Sequence, residues 1–138
     1  MNNEISKNKV LIWVAGLAVA NAVITNLLAF MIGDKLAMIS FTLGRIVLAA
    51  WGGWYIVFKA KSNLWYAALI GFIIMLTDHV ILKGGLFLLT QMFWPDSIEG
   101  DVNMAFIGVI ASFVMFSPIA AIISLCGGFV GRKYAMNR

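Results

Sequence analysis

The sequence predicts an all-α integral membrane protein, a four-transmembrane-helix bundle with both termini cytoplasmic. Composition, the length of the apolar runs and the placement of Lys and Arg each lead there. Of 138 residues 62% are hydrophobic and only 12% charged, with a mean hydropathy of +0.96. A soluble domain is typically about half apolar and about a quarter charged, so this chain lacks the polar side chains to coat a water-soluble globule. Four runs approach the roughly 20 apolar residues that a helix needs to cross about 30 Å of hydrocarbon: 10–33, 36–58, 64–82 and 104–130. They make one domain, 1–138, with little chain left outside. A β-barrel would alternate apolar and polar residues with a period of two, and VLIWVAGLAVANAVI does not.

The first run raises a processing question. Lys7 and Lys9 followed by VLIWVAGLAVA resemble the n- and h-regions of a signal peptide, and Ala18-Val19-Ala20 fits a small-residue cleavage site. Apolar sequence then continues through VITNLLAFMIG to Asp34, too long for an h-region, so an uncleaved first helix is expected. A tight turn at Asp34 and Lys35 leads into the second. The third run ends in MLTDHVILKGG (75–85), where Asp78, His79 and Lys83 interrupt a greasy segment. Beyond it, GGLFLLTQMFW (84–94) is too short to span and too apolar for an ordinary loop. The glycine pair is expected to break the helix and leave the remainder lying at the outer surface.

Orientation follows from the Lys/Arg bias near helix ends. Lys7, Lys9, Lys59, Lys61, Arg132, Lys133 and Arg138 mark one side. The other carries Lys35, Lys83 and the acidic PDSIEGD loop with Asp96, Glu99 and Asp101. Both termini are therefore expected inside, in a plasma membrane of the bacterial inner-membrane kind. Trp54, Tyr55, Trp65 and Tyr66 fall where an inner aromatic belt would lie, with Tyr134 just beyond it, and Trp94 belongs at the outer one. The net charge of +4 is explained by these anchors and by attraction to anionic lipid; no nucleic acid is implied. Cys126 is the single cysteine, forms no intrachain disulfide and reads as a small packing residue.

Membrane helices associate through close backbone approach and interhelical hydrogen bonds, because lipid is as apolar as leucine. Small residues recur at four-residue spacing: Gly108/Ser112, Ala120/Ser124/Gly128 and Gly127/Gly131 in the fourth helix, Gly16/Ala20 and Ala18/Ala22 in the first, Ala49/Gly53 in the second. They predict tight packing within the bundle. Self-association into a homo-oligomer is also expected, because four short helices enclose little interior.

The polar residues inside the spans are the candidate site. Arg45 lies roughly 14 Å below the outer end of helix 2, and Asp78 roughly 6 Å below that of helix 3 if the helix stops at Leu82. An uninterrupted third helix would bring Asp78 close to the midplane. Insertion scales charge about 2.5–3.5 kcal/mol for a central Asp, Arg or Lys, so an Arg45–Asp78 ion pair is predicted, with Lys83 snorkelling outward. His79 sits beside Asp78 and titrates near neutral pH in its ordinary state. Asn21 and Thr25 are i, i+4 neighbours in helix 1, with Asn26 alongside, and Ser112 falls at a similar depth in helix 4. The candidate cluster is thus Arg45, Asp78, His79, Lys83, Asn21 and Thr25. One His and one Asp are too few for a metal centre, and no cofactor is implied.

Two functional readings stay open on these residues. In one the cluster serves ion or proton permeation or transport, with Asp78 and His79 binding or relaying and Arg45 setting the field. In the other the chain is a non-enzymatic membrane subunit (a sensor, immunity factor or anchor) whose polar cluster holds the fold while another membrane protein binds its surface. Enzymatic activity is not expected: GxSxG, HExxH and P-loop patterns are missing. In size the chain resembles the small multidrug exporters, but their pattern needs a carboxylate in helix 1, where this sequence has Asn21 and Asn26. These residues assign no family.

Overall fold

The computed structural model describes residues 6–93 and 102–136. The acidic 95–101 loop, Trp94 and Arg138 lie outside the described residues. All regular structure among the described residues is helical: α1 (Lys7–Ile32), α2 (Asp34–Phe58), α3 (Leu64–Met75), a π-helical stretch Leu76–Gly84, α4 (Gly85–Phe93) and α5 (Val102–Met136). Four stretches are long and apolar enough to cross a membrane: Lys7–Thr25, Met38–Phe58, Leu64–Gly84 and Phe106–Met136. They correspond in order to the four expected runs.

A single residue, Gly33, joins α1 to α2. Its φ of 90° and ψ of 155° belong to a region essentially reserved for glycine, because a Cβ there meets the backbone. Gly33→Ala is therefore expected to destabilise the protein by about 1–3 kcal/mol, read as a lowered midpoint of thermal unfolding in detergent. The turn folds α2 back along α1, and Val14 and Gly52, equally distant from Gly33 in sequence, come into register. Lys59–Asn63 then reverses the chain again.

α2 and α3 form the middle of the bundle. α1 packs on α2 and α3, α5 packs on both as well, and among the described residues α1 and α5 do not pack on each other. The core is Val10, Val14 and Ala18 of α1, Ala49, Ile56 and Val57 of α2, and Ala67, Ile70 and Ile74 of α3. α5 is held differently. Its bulky residues Ile107, Val114, Met115, Ile122 and Phe129 point outward, while its small ones carry the contacts. A Cβ at Gly127 would strike the carbonyl of Ala50, one at Gly53 the carbonyl of Ser124, and one at Gly71 the carbonyl of Ala120. The predicted small-residue spacing thus brings backbones together inside one chain. Gly16 and Gly108 differ, with nothing within 4 Å of a Cβ at either.

Two expectations are corrected. Helix 3 does not break at Gly84–Gly85: helical hydrogen bonding runs from Leu64 through the π stretch into α4 as far as Phe93. Two glycines cost about 1 kcal/mol each in a helix, whereas a backbone group left unpaired in hydrocarbon costs several. Continuing the helix is the less costly choice. Asp78 consequently sits at the middle of this run and not near its outer end. Among the described residues α4 itself packs against the π stretch alone. Cys126, expected in packing, is exposed on α5.

Candidate functional site

Arg45 and Asp78 meet because the chain makes them level. They lie almost equally far from the Lys59–Asn63 reversal, one backward along α2 and the other forward along the continuous helix. Arg45 Nη2 pairs with Asp78 Oδ2. The same oxygen lies 3.2 Å from His79 Nδ1, so one carboxylate atom is the focus of both neighbours. Asp78 and His79 are 3% and 2% exposed, a burial that only a paired charge tolerates. The Arg45 guanidinium also covers the Phe41 ring, 3.8 Å from its centroid, which shields its other face.

The π stretch explains how Thr77, Asp78 and His79 can all be buried in succession. Its i→i+5 bonding puts more residues in each turn than an α-helix holds, so neighbouring side chains are separated by a smaller angle. Three consecutive residues then face the bundle together. Such segments are uncommon and recur at functional sites. His79 stacks against Phe116 of α5, with ring centroids 6.3 Å apart, which fixes the imidazole plane.

Satisfaction around the pair is incomplete. Among the described residues the buried Arg45 Nε has no hydrogen-bond partner, and His79 Nδ1 is buried with its approach to Asp78 Oδ2. A buried donor without an acceptor costs about 1–3 kcal/mol. Arg45 Nε–H is thus a donor that no described residue uses.

Beside the pair lies a cleft of about 390 Å³ between α2, the π stretch and α5, within the range of small-ligand sites. Arg45, His79, Lys83, Thr42 and Ser112 form its polar wall, and Met75, Phe116, Ile119 and Ile123 its apolar one. Lys83 is exposed and lines the cleft. The two hydroxyls have already donated their protons, Thr42 to Met38 O at 2.9 Å and Ser112 to Gly108 O at 2.8 Å.

The structure brings together four of the six predicted site residues and separates the other two. Arg45, Asp78, His79 and Lys83 form one group. Asn21 instead faces α2 across the α1 contact, donating from Nδ2 to Phe41 O at 3.4 Å and filling the space above Gly44. Thr25 donates to Asn21 O within α1, at 2.8 Å. Neither lines the cleft. The side chain of Asn26 lies outside the described residues. Thr42 and Phe116 are added members, with Ser112 beside them; Thr42, Arg45 and Ala49 recur at three and four residues along α2, a spacing that puts them on one face. Among the described residues no three His, Cys, Asp or Glu side chains gather as a metal site would require.

Fold and site together define a class: an all-helical chain with four helices fit to cross a membrane and a buried Arg–Asp–His group at mid-helix. Compared with known family models, curated proteins and solved structures, the chain matches none.

Proposed function

We propose that this chain is an integral protein of a bacterial-type inner membrane, with both termini cytoplasmic, whose Arg45–Asp78–His79–Lys83 group serves ion or proton permeation or transport. The observation that carries the reading is the buried Arg45–Asp78 pair, its Arg45 Nε–H used by no described residue, beside a cleft of about 390 Å³. Ionisable residues at that depth are costly, and they characteristically mark ion pathways or wet cavities. No enzymatic step is part of the proposal. Orientation is supported by the gathering of positive charge at one end: Lys7 lies over the Tyr66 ring, and Lys61 and Arg132 line one recess. A homo-oligomer is part of the same reading, since α5 leaves most of its surface facing outward.

Proteoliposomes test it. Wild-type protein is expected to pass protons or a common ion. Asp78→Asn, equally reconstituted, should reduce that flux by about tenfold or more, equivalent to about 1.4 kcal/mol on the barrier. Wild type without flux for any common ion, together with Asp78→Asn that merely unfolds at lower temperature, rejects the proposal.

One observation favours the second reading, a non-enzymatic subunit for another membrane protein. Among the described residues α4 packs on the π stretch alone, and its Leu88, Leu89 and Met92 are exposed. Such a segment supplies apolar surface for a partner, and the flux-negative outcome above would favour this role.

A further inference from the structure

We propose that the cleft between α2, the π stretch and α5 binds an anionic amphiphile: a single carboxylate or phosphate group carried on an apolar body, entering sideways between the helices. The inference rests on the permeation reading only for its membrane setting, and it names the species that the same site would take.

Charge selects the sign of the ligand. Arg45 and Asp78 offset each other as an ion pair, so among the described residues the charge left over at the cleft is the positive one of Lys83. Asp78 is already engaged by Arg45 and His79 and is 3% exposed. A cation arriving in the cleft would find no available carboxylate and would face Lys83. An anion finds the Lys83 ammonium, a strongly hydrated point charge with three donors.

Hydrogen-bond inventory points the same way. The Thr42 and Ser112 protons are committed to backbone carbonyls, so these hydroxyls offer acceptor lone pairs only. Among the described residues the cationic donors on this wall are Lys83 and Arg45, whose buried Nε–H has no hydrogen-bond partner. Both are cationic, and hydrogen bonds with an ionised partner are about twice as strong as those between neutral groups.

The opposite wall sets the rest of the ligand. Phe116, Ile119 and Met38 line the cleft and are themselves exposed on the outer surface of the bundle. The cleft is therefore continuous with the face that lipid would cover, and an apolar body can lie there without leaving hydrocarbon. A compact inorganic anion would use the charged end and leave the apolar wall empty.

The test uses full-length protein in nanodiscs of neutral phosphatidylcholine, with thermal unfolding followed while sodium laurate, 1-dodecanol or inorganic phosphate is added. Laurate is expected to raise the midpoint saturably, and the other two are not. Lys83→Gln should shift the half-saturating laurate concentration upward by about tenfold, or 1.4 kcal/mol. Lys83→Arg should retain laurate binding, and Lys9→Gln, on α1, which contributes no residue to the cleft lining, should leave it unchanged. Dodecanol matching laurate would overturn the proposal in favour of a plain apolar groove. Phosphate matching laurate would overturn it in favour of a simple anion site, and an unaltered laurate response in Lys83→Gln would overturn it outright. Binding and permeation fail separately: laurate binding by a protein with no flux sinks the permeation reading alone, and flux without laurate binding sinks this one.

Discussion

Gly127→Leu is expected to abolish the folded bundle or lower its stability by at least the upper end of the range of about 1–3 kcal/mol seen for overpacked sites. A Cβ at this position meets the carbonyl of Ala50. That neighbour is backbone, so no rotamer change relieves the collision, and the whole of α5 has to move away from α2. Separation would also disturb the contacts at Gly53 and Gly131, where Ser124 and Trp54 carbonyls sit against the same face. Without a hydrophobic force to hold helices together in lipid, lost van der Waals contact is lost association energy. Gly108→Leu is the matched control. It changes the same residue type on the same helix, but nothing lies within 4 Å of its Cβ, and it removes a glycine that costs about 0.5–1 kcal/mol in a helix. Thermal unfolding of the two variants in one detergent should separate them widely. Equal midpoints would show that α2 and α5 are not packed through these glycines.

Legibility in the sequence divides along physical lines. Span number and order were legible, because the apolar length needed to cross hydrocarbon is a one-dimensional property. The Arg45–Asp78 pair was legible for a related reason: an antiparallel reversal makes residues equidistant from it level, and an unpaired charge at that depth is too costly. Angular position was not legible. Asn21 stands at a depth similar to Arg45, but it faces Gly44 on the α1 side of α2, while the cleft opens on the α5 side. Depth can be counted along a chain; the direction a helix face points depends on which neighbours pack, and among the described residues α1 and α5 do not meet. The π stretch was hidden as well. MLTDHVILKGG carries two glycines that signal a stop in water, and the signal is overridden where unpaired backbone is the greater cost. With it went the true setting of Asp78, at mid-helix, and the simultaneous burial of Thr77, Asp78 and His79. What remained visible throughout was the chemistry: four ionisable side chains in two helices, with too few metal ligands for a metal centre.

Asp78→Leu alone should cost about 3–5 kcal/mol, because it leaves the Arg45 guanidinium buried without its counter-charge. Arg45 is 16% exposed at its side chain and cannot reach bulk water in place; its Nε already lacks a hydrogen-bond partner among the described residues. Adding Arg45→Met on top of Asp78→Leu should restore most of the lost stability, since replacing a buried ion pair by apolar residues of similar volume is often neutral or stabilising by about 1–4 kcal/mol. The double variant thus separates scaffold from function. If the pair did no more than fix which helices meet, the neutral double would keep both its fold and its flux. The permeation reading predicts a folded protein, unfolding near the wild-type temperature, that no longer conducts. A charge swap, Arg45→Asp with Asp78→Arg, adds a second cut. It restores an opposite-charge pair at the same level but puts a cation next to His79 Nδ1, now 3.2 Å from a carboxylate oxygen. Stability should fall only partly, and flux should stay absent, because the convergence of Arg45 and His79 on one oxygen is undone. A neutral double that conducts like wild type would reduce the buried pair to a structural device and shift the functional weight to the surface of the bundle.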